Sequence, residues 1–183
     1  MTNEIKEIEH NIDELERVNG VESVCKKGCA ACCKQCIVVF SSEIPAIENC
    51  INGYDPETKE KIREKTLELC TYLTEKGITN DRPSKCISRA MQIRLQEEYF
   101  SLGRDCIFLD ENNACRIHPV RPSLCWSYRE YSDPEKCKES CFSDTGVKFD
   151  DWERKSSKRL VQARKPNKHL MILPFAVKEA MHW

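Results

Sequence analysis

Apolar residues recur every three or four positions in several stretches of the chain, a spacing that predicts amphipathic helices. The first stretch ends at Asn19-Gly20, and its apolar positions are Ile5, Ile8, Ile12, Leu15 and Val18. A second helix is predicted to begin after Ser41 or Ser42, either of which can cap it, and to continue to about Ile51. Between the two helices lies a cysteine-rich stretch without helical spacing.

The clearest predicted helix begins at Pro56. Asp55 is placed to cap it, Pro56 suits its first turn, and Gly77 ends it. Its inward-facing positions are Ile62, Thr66, Leu69 and Leu73. A further helix is predicted from about Pro83 to Tyr99, with an apolar side formed by Ile87, Ala90, Met91 and Leu95.

Shorter elements complete the predicted fold. Three more helices are predicted: a short one after Asp133-Pro134 that carries Cys137 and Cys141, one over about 150–165, and a last one after Pro174. The apolar run 37–40 predicts a short strand, and residues 106–117 predict a hairpin or a loosely paired loop. The pattern as a whole predicts a mostly α fold, a single small domain over 1–183 with a core motif at 25–125 and helical extensions on both sides.

Composition narrows the classes of function. Cysteine accounts for 13 of the 183 residues, whereas hydrophobic residues make up only 40%. The formal charge is -1, so no global field attracts nucleic acid or a membrane surface. The longest apolar stretch, 170–177, is interrupted by Pro174 and is far shorter than the roughly 20 residues of a membrane span. The sequence therefore predicts neither a membrane nor a nucleic-acid partner, and it identifies no protein partner.

The start of the chain bears on the compartment. Its first ten residues alternate acidic residues with isoleucines and lack the basic and apolar segments of a secretory leader. This predicts a cytoplasmic protein in a reducing compartment, where structural disulfides are rare. Because an odd number of cysteines cannot pair completely within one chain, the cysteine excess indicates metal ligation.

The first cysteine group is Cys25-Lys-Lys-Gly-Cys29-Ala-Ala-Cys32-Cys33. Thiolates bind zinc and iron–sulfur clusters, and two-residue spacings allow one turn to direct two sulfurs at one centre. Gly28 and the two alanines let the backbone curl closely around such a site. Buried free cysteines are the alternative, but these would be spread over helix faces rather than crowded into one loop.

A second group contains Cys106, Cys115 and Cys125. Pro122 suits the first turn of a helix, which would hold Cys125 near the positive end of the helix dipole and close to Arg121. A tight hairpin would place Cys115 opposite Asp110 and about 13 Å along the strand from Cys106. If both sulfurs bind one centre, this segment must be a wider loop.

Together, the two groups resemble the YkgJ-like cysteine-cluster family, also called the CxxCxxCC family, whose members are described as zinc- or iron-chelating. The family pattern is C-x3-C-x2-CC, followed by C-x-F-L, another cysteine and R-P-x2-C. Here the matching residues are Cys25, Cys29, Cys32, Cys33, Cys106 with Phe108-Leu109, Cys115, and Arg121-Pro122 with Cys125. Glu43 also matches a recurrent acidic position. The resemblance implies a small, mostly helical domain built around metal.

The other cysteines differ in their expected roles. Cys137 follows the R-P-x2-C segment closely and is the eighth candidate metal ligand. Cys36 and Cys141 are candidates for a position next to the metal ligands or for a second site. Cys50, Cys70 and Cys86 are predicted to lie on helix faces that pack into the core. His118 stands next to a proline and is predicted to be a loop residue rather than a ligand.

The residues favour an iron–sulfur cluster over zinc. Seven pattern cysteines are more than one zinc site needs, and the neighbours Cys32 and Cys33 serve different atoms of a cluster more easily than one small ion. Metal binding, with a redox role for iron, is the predicted function. One alternative is a cluster-dependent enzyme with redox or methyl-transfer chemistry, since related cysteine segments occur in a flagellin lysine methylase. Another alternative is an interaction module whose fold is stabilised by zinc. The spacing of a radical S-adenosylmethionine loop is present, but Ala31 stands where such loops carry an aromatic residue.

Overall fold

The computed structural model describes residues 3–26, 28–86, 88–141 and 169–183. Over these ranges the chain is mostly helical, which confirms the predicted fold class. The helices are α1 (Asn3–Asn19), α2 (Ile44–Asn52), α3 (Pro56–Glu75), α4 (Arg82–Lys85), α5 (Arg89–Ser101), α6 (Ser123–Ser127), α7 (Lys136–Glu139) and α8 (Leu173–Ala180). Two strands, β1 (Val38–Phe40) and β2 (Leu170–Ile172), and short 3-10 turns at Ala31–Lys34, Ser41–Glu43 and His118–Val120 complete the described elements.

Helix α3 is the longest element and has the predicted bounds. The Asp55 carboxylate accepts a hydrogen bond from the Thr58 N–H at 2.9 Å, and Pro56 occupies the first turn. The buried face consists of Ile62, Thr66, Leu69, Cys70 and Leu73, which confirms the predicted inward positions. This face packs against α8, which also packs against α2.

The two strands form an antiparallel sheet. Val38 pairs with Ile172, Val39 with Met171, and Phe40 with Leu170. The predicted strand at 37–40 is confirmed, but the sequence did not identify its partner, because that partner lies some 130 residues later in the chain. The pairing fixes the end of the first cysteine loop against the carboxyl-terminal part of the chain.

The single helix predicted over 83–99 is wrong. The structure contains two helices, α4 and α5, because the Ser88 hydroxyl accepts from the Met91 N–H at 3.3 Å and starts a new helix. The predicted apolar side is also wrong in part, since Ala90 is exposed and Met91 is 45% exposed. Leu95 and Tyr99 face the core instead. Ile87 lies outside the described residues.

Two of the remaining predicted helices differ in detail. Helix α1 has the predicted bounds and buries Ile12, but Val18 is 66% exposed and does not belong to its apolar stripe. The other positions of that stripe lie outside the described side chains. Helix α7 ends at Glu139, and Ser140 is extended, so Cys137 is helical and Cys141 is not. The helix predicted over 150–165 lies outside the described residues.

The core lies where α2, α3, α5 and α8 surround the segment 107–109. Ile107, Phe108 and Leu109 are all buried, and Phe108 has no exposed surface. The last helix, predicted after Pro174, is confirmed as α8. Its buried residues belong to the same core cluster as the segment 107–109. None of the described helices combines the length and the apolarity that crossing a bilayer requires.

Candidate metal centre

The first cysteine loop runs from Cys25 to the 3-10 turn before β1. Gly28 has φ +87°, a left-handed conformation that explains why glycine stands there. The loop has two parts: Cys25 and Cys29 are exposed, whereas Cys32 and Cys33, in the turn, are half-buried. The structure therefore separates four thiols that are close in sequence.

The second cysteine segment is wider than a tight two-residue hairpin. Cys115 forms a bridge with Leu109 rather than standing opposite Asp110. The five residues between them turn around the Asp110 carboxylate, which accepts hydrogen bonds from the N–H groups of Asn112 at 2.9 Å and Ala114 at 2.7 Å. On the other side, the Cys106 carbonyl accepts from the Leu109 N–H at 3.0 Å, so a turn brings Cys106 back towards the bridge.

Cys125 lies on α6, as predicted from Pro122. Its N–H donates to the Pro122 carbonyl at 2.9 Å in the first turn. The amino end of this helix is held by Glu43, whose carboxylate accepts from the Ser123 N–H at 2.8 Å and from the Phe40 N–H at 2.9 Å. Glu43 therefore joins the end of β1 to the helix that carries Cys125.

The two cysteine segments meet at one place. We call the thiols that meet there the five-thiol group: Cys32, Cys33, Cys106, Cys115 and Cys125. Burial, with smaller contributions from the charges of Cys115 and Cys32, raises the pKa of Cys106 to about 12. Burial raises the pKa of Cys125 well above its usual value, again with contributions from Cys106, Cys32 and Cys115. Such mutual effects require that the thiols be neighbours.

One cation borders the five-thiol group. The charge of Arg121 lowers the pKa values of Cys32, Cys115 and Cys125, in each case against a larger opposing effect of burial. Its guanidinium lies 4.0 Å from the centre of the Trp126 ring. His118 packs against the same ring edge-on at 5.3 Å. Arg121 is therefore held in place by stacking, and its charge favours thiolate.

Cys32 and Cys33 affect each other's pKa. Their interaction lowers the pKa of Cys32 and raises that of Cys33, which burial raises further. Cys32 is therefore the more readily ionised thiol of the pair. Cys32 is the member of the five-thiol group best prepared to bind a cation.

Cys137 lies close to the first loop, at the edge of the five-thiol group, because the charge of Cys32 also acts on it. Helix α7 packs against the turn Ala31–Lys34. Cys137 is 4% exposed, and its burial raises its pKa to about 11, with further contributions from the charges of Glu130 and Cys25. Cys29 is exposed at the same side, where its charge raises the pKa of Lys138 in addition to the larger effect of Glu135. Of the eight predicted ligands, five thus form the five-thiol group, Cys137 lies at its edge, and Cys25 and Cys29 are exposed on the first loop.

Of the cysteines predicted to lie in the core, Cys50 also lies near the five-thiol group. Cys70 is buried on α3, as predicted. Cys50 is half-buried, and its charge reaches Cys115, whose pKa is raised first by burial. The Cys50 sulfur also lies 4.0 Å from the hydroxyl of Tyr54, which donates to the Arg116 carbonyl. The sequence could not bring α2 next to the second cysteine segment, so it missed this sixth thiol at the edge of the group.

The other cysteines lie away from the five-thiol group. Cys36 is buried next to Cys86 and Arg82, and burial raises its pKa to about 12. Cys141 is buried beyond the end of α7. All thirteen cysteines lie in the described part of the chain and are free thiols there. Within that part, no three Cys, His, Asp or Glu side chains already converge as a bound metal ion would require.

Glu130 is a residue of this region that the sequence did not identify. It lies between α6 and α7, and its side chain is buried. Its backbone carbonyl accepts from the Val24 N–H at 2.9 Å and from the Ser23 hydroxyl at 3.2 Å. No periodicity or motif could indicate a carboxylate here, because its environment is created by contacts with a loop more than one hundred residues earlier.

Comparison of the chain with models of protein families, with curated proteins and with solved structures found no match. The resemblance to the YkgJ-like family therefore stays a prediction that rests on the residues named above.

Proposed function

We propose that this chain is a metal-binding protein that holds an iron–sulfur cluster, or alternatively zinc, through its clustered cysteines. The observation that carries the proposal is the five-thiol group, in which thiols from two segments about 70 residues apart are neighbours. Thiolates are the ligands that both zinc and iron–sulfur clusters take. The proposal includes membership of the YkgJ-like family and a reducing compartment such as the cytoplasm.

The surroundings of the group suit a sulfur-rich, negatively charged centre. Arg121 supplies a positive charge that offsets clustered thiolates. The stacked side chains of Arg121 and Trp126 also contain two buried N–H donors, Arg121 Nε and Trp126 Nε1. Neither donor has a hydrogen-bond partner within the described ranges. A buried N–H donor without a partner lowers the stability of the fold, so these two donors favour binding of a group that can accept their hydrogen bonds. The thiolates and sulfides of a metal centre are acceptors of this kind.

The donor count favours iron–sulfur. A zinc ion takes four ligands, whereas the group contains five thiols, with Cys50 at its edge. The adjacent Cys32 and Cys33 suit a polynuclear centre better than a single ion. When bound, such a cluster would supply one-electron redox chemistry, and the residues that would hold it are Cys32, Cys33, Cys106, Cys115 and Cys125.

The test is anaerobic purification of the full chain, followed by elemental analysis and an absorption spectrum. We expect stoichiometric iron and sulfide with broad sulfur-to-iron charge-transfer absorption. Cys125→Ala should lose the metal, whereas Cys70→Ala, a change of the same size at a buried thiol on α3, should keep it. Stoichiometric zinc without colour would favour the alternative metal. Full metal content in Cys125→Ala would contradict the ligand assignment, and a wild-type chain that binds neither metal would refute the proposal.

A further inference from the structure

A groove lies between the outer face of the two-stranded sheet and the helices α4 and α5. The inner face of the sheet belongs to the core, since Val39 and Met171 are buried there. Because side chains alternate along a strand, Val38, Phe40 and Leu170 lie on the other face, where they are half-buried. The groove that they line has a volume of about 370 Å³, within the range of roughly 300–1,000 Å³ that is typical of small-molecule sites.

Most of the lining of this groove is apolar. Helix α5 contributes Ile93 and Leu95, and α6 contributes Leu124. Leu124 is 40% exposed, and in the described part of the chain neither Leu124 nor Ile93 belongs to the core cluster. Their side chains therefore leave apolar surface in contact with water, and burial of an apolar ligand against them would be favourable.

One end of the lining carries a positive charge. Arg89 is the only charged side chain among the described residues that line the groove. It is exposed at the start of α5, and the ion pairs of the described residues do not include it. Gln92 and Gln96 follow on the same side of the helix, and Gln96 Nε2 donates to the Cys36 carbonyl at 3.0 Å, which fixes this wall. An apolar surface beside a single cation is complementary to a molecule with an apolar chain and an anionic head group.

The edges of the sheet do not favour an added peptide strand. At the edge of β1, the Phe40 N–H already donates to the Glu43 carboxylate at 2.9 Å. At the edge of β2, the Ser84 hydroxyl accepts from the Leu170 N–H at 3.2 Å and donates to the Leu170 carbonyl at 2.9 Å. A peptide that joins a sheet is bound through such main-chain groups. Because these groups are occupied, the groove suits a ligand that is held by its apolar surface and its charge.

We propose that this groove binds a small amphiphile with an aliphatic chain and an anionic head group. The head group lies at Arg89, and the chain lies against Ile93, Leu124 and the outer face of the sheet. Binding is non-covalent. The groove contains none of the eight candidate metal ligands, so the inference does not depend on the metal centre and adds a second kind of ligand to the proposed function.

The test is equilibrium dialysis of the full purified chain with decanoate, below the concentration at which decanoate forms micelles. Octanoate is the shorter analogue, and decanol is the uncharged one. We expect one decanoate per chain. Each methylene group buried in the groove should raise the affinity about fourfold, so octanoate should bind roughly fifteenfold more weakly.

Variants on α5 test the two halves of the ligand separately. Arg89→Gln should weaken decanoate binding about fivefold, the upper end for an exposed ion pair, and should leave decanol binding unchanged. Its matched control is Arg94→Gln, at an exposed arginine of the same helix that does not line the groove. Ile93→Gln should weaken the binding of both ligands about tenfold. Its matched control is Met91→Gln, at a side chain that is 45% exposed and lies outside the groove lining.

Several results would overturn the inference. Equal decanoate affinity in Arg89→Gln and Arg94→Gln would contradict the anionic head group, and equal affinity in Ile93→Gln and Met91→Gln would contradict the apolar site. If Ile93→Gln fails to fold, the exposed position of Leu124 allows Leu124→Gln to replace it. A chain that binds no decanoate, or that sediments as a dimer which Ile93→Gln dissociates, would also refute the inference. Metal content measured in the same samples tests the proposed function independently.

Discussion

Removal of the Glu43 carboxylate is expected to affect both stability and the metal centre. Glu43 accepts the N–H groups of Phe40 and Ser123 at 2.9 and 2.8 Å. The first lies at the end of β1, and the second begins the helix on which Cys125 stands. In Glu43→Ala, both donors lose this acceptor, and the Ser123 donor lies in a buried residue.

The size of the effect follows from these two bonds. A hydrogen bond with a charged partner contributes roughly 1.5–3 kcal/mol, and the half-buried position of Glu43 places each bond near the lower limit. We therefore expect Glu43→Ala to lower the free energy of unfolding by about 3 kcal/mol. For a chain of this length, that corresponds to a fall in melting temperature of about 6–12 °C. Glu43→Gln keeps one carbonyl oxygen and should lose about half as much.

The measurement is urea unfolding of the metal-free chain, followed by metal titration of the folded variant. Glu57→Ala is the matched control, because Glu57 is 79% exposed and forms only a surface ion pair with Lys61. It should change stability by less than about 0.5 kcal/mol. Glu43→Ala should also bind metal more weakly, since the start of α6 is released. A free energy of unfolding equal to that of Glu57→Ala would refute the reasoning.

Two further predictions concern pH. Because burial keeps Cys106 and Cys125 protonated at neutral pH, metal binding must displace their protons, and affinity should rise with pH by about tenfold per unit for each proton displaced. Competition with a chelator at several pH values measures this, and an affinity independent of pH contradicts it. Burial raises the pKa of Cys36 from 9.0 to about 12. The protonated thiol therefore contributes fully to the stability of the metal-free chain below about pH 9, and this contribution is lost as pH rises towards 12. In urea unfolding at alkaline pH, Cys36→Ala should lose less stability with rising pH than the unchanged chain does. Val39→Ala, the control, should lower the free energy of unfolding equally at all pH values. If the free energy of unfolding fell with pH equally steeply in both variants, the prediction would be wrong.

The sequence predicted best the elements whose ends are determined locally. Asp55, Pro56 and Gly77 mark the ends of α3 without help from the rest of the fold, and these signals were sufficient. The prediction failed where a local signal was overlooked. Treating 83–99 as one helix placed Met91 in the core, whereas the cap at Ser88 starts α5 in a different register.

The candidate site could be predicted only in part, since its members are joined by long-range contacts. The sequence grouped Cys25 with Cys32 because they are close along the chain. In the structure, Cys25 and Cys32 both act on the buried thiol of Cys137, and Cys32 also acts on Cys106 of the second segment. Sequence distance cannot predict these contacts, because they depend on how α7 packs against the turn that carries Cys32.

The five-thiol group and the exposed thiols of the first loop differ in what holds them in place. The five-thiol group is fixed by backbone: β1 pairs with β2, Glu43 holds the start of α6, and the segment 107–109 is buried in the core. Its frame is therefore held by backbone pairing, by a carboxylate and by core packing. Cys25 and Cys29, in contrast, are exposed on the loop around Gly28 and lie outside this frame. Metal binding to the five-thiol group should therefore change little in the backbone of β1, α6 and the segment 107–109.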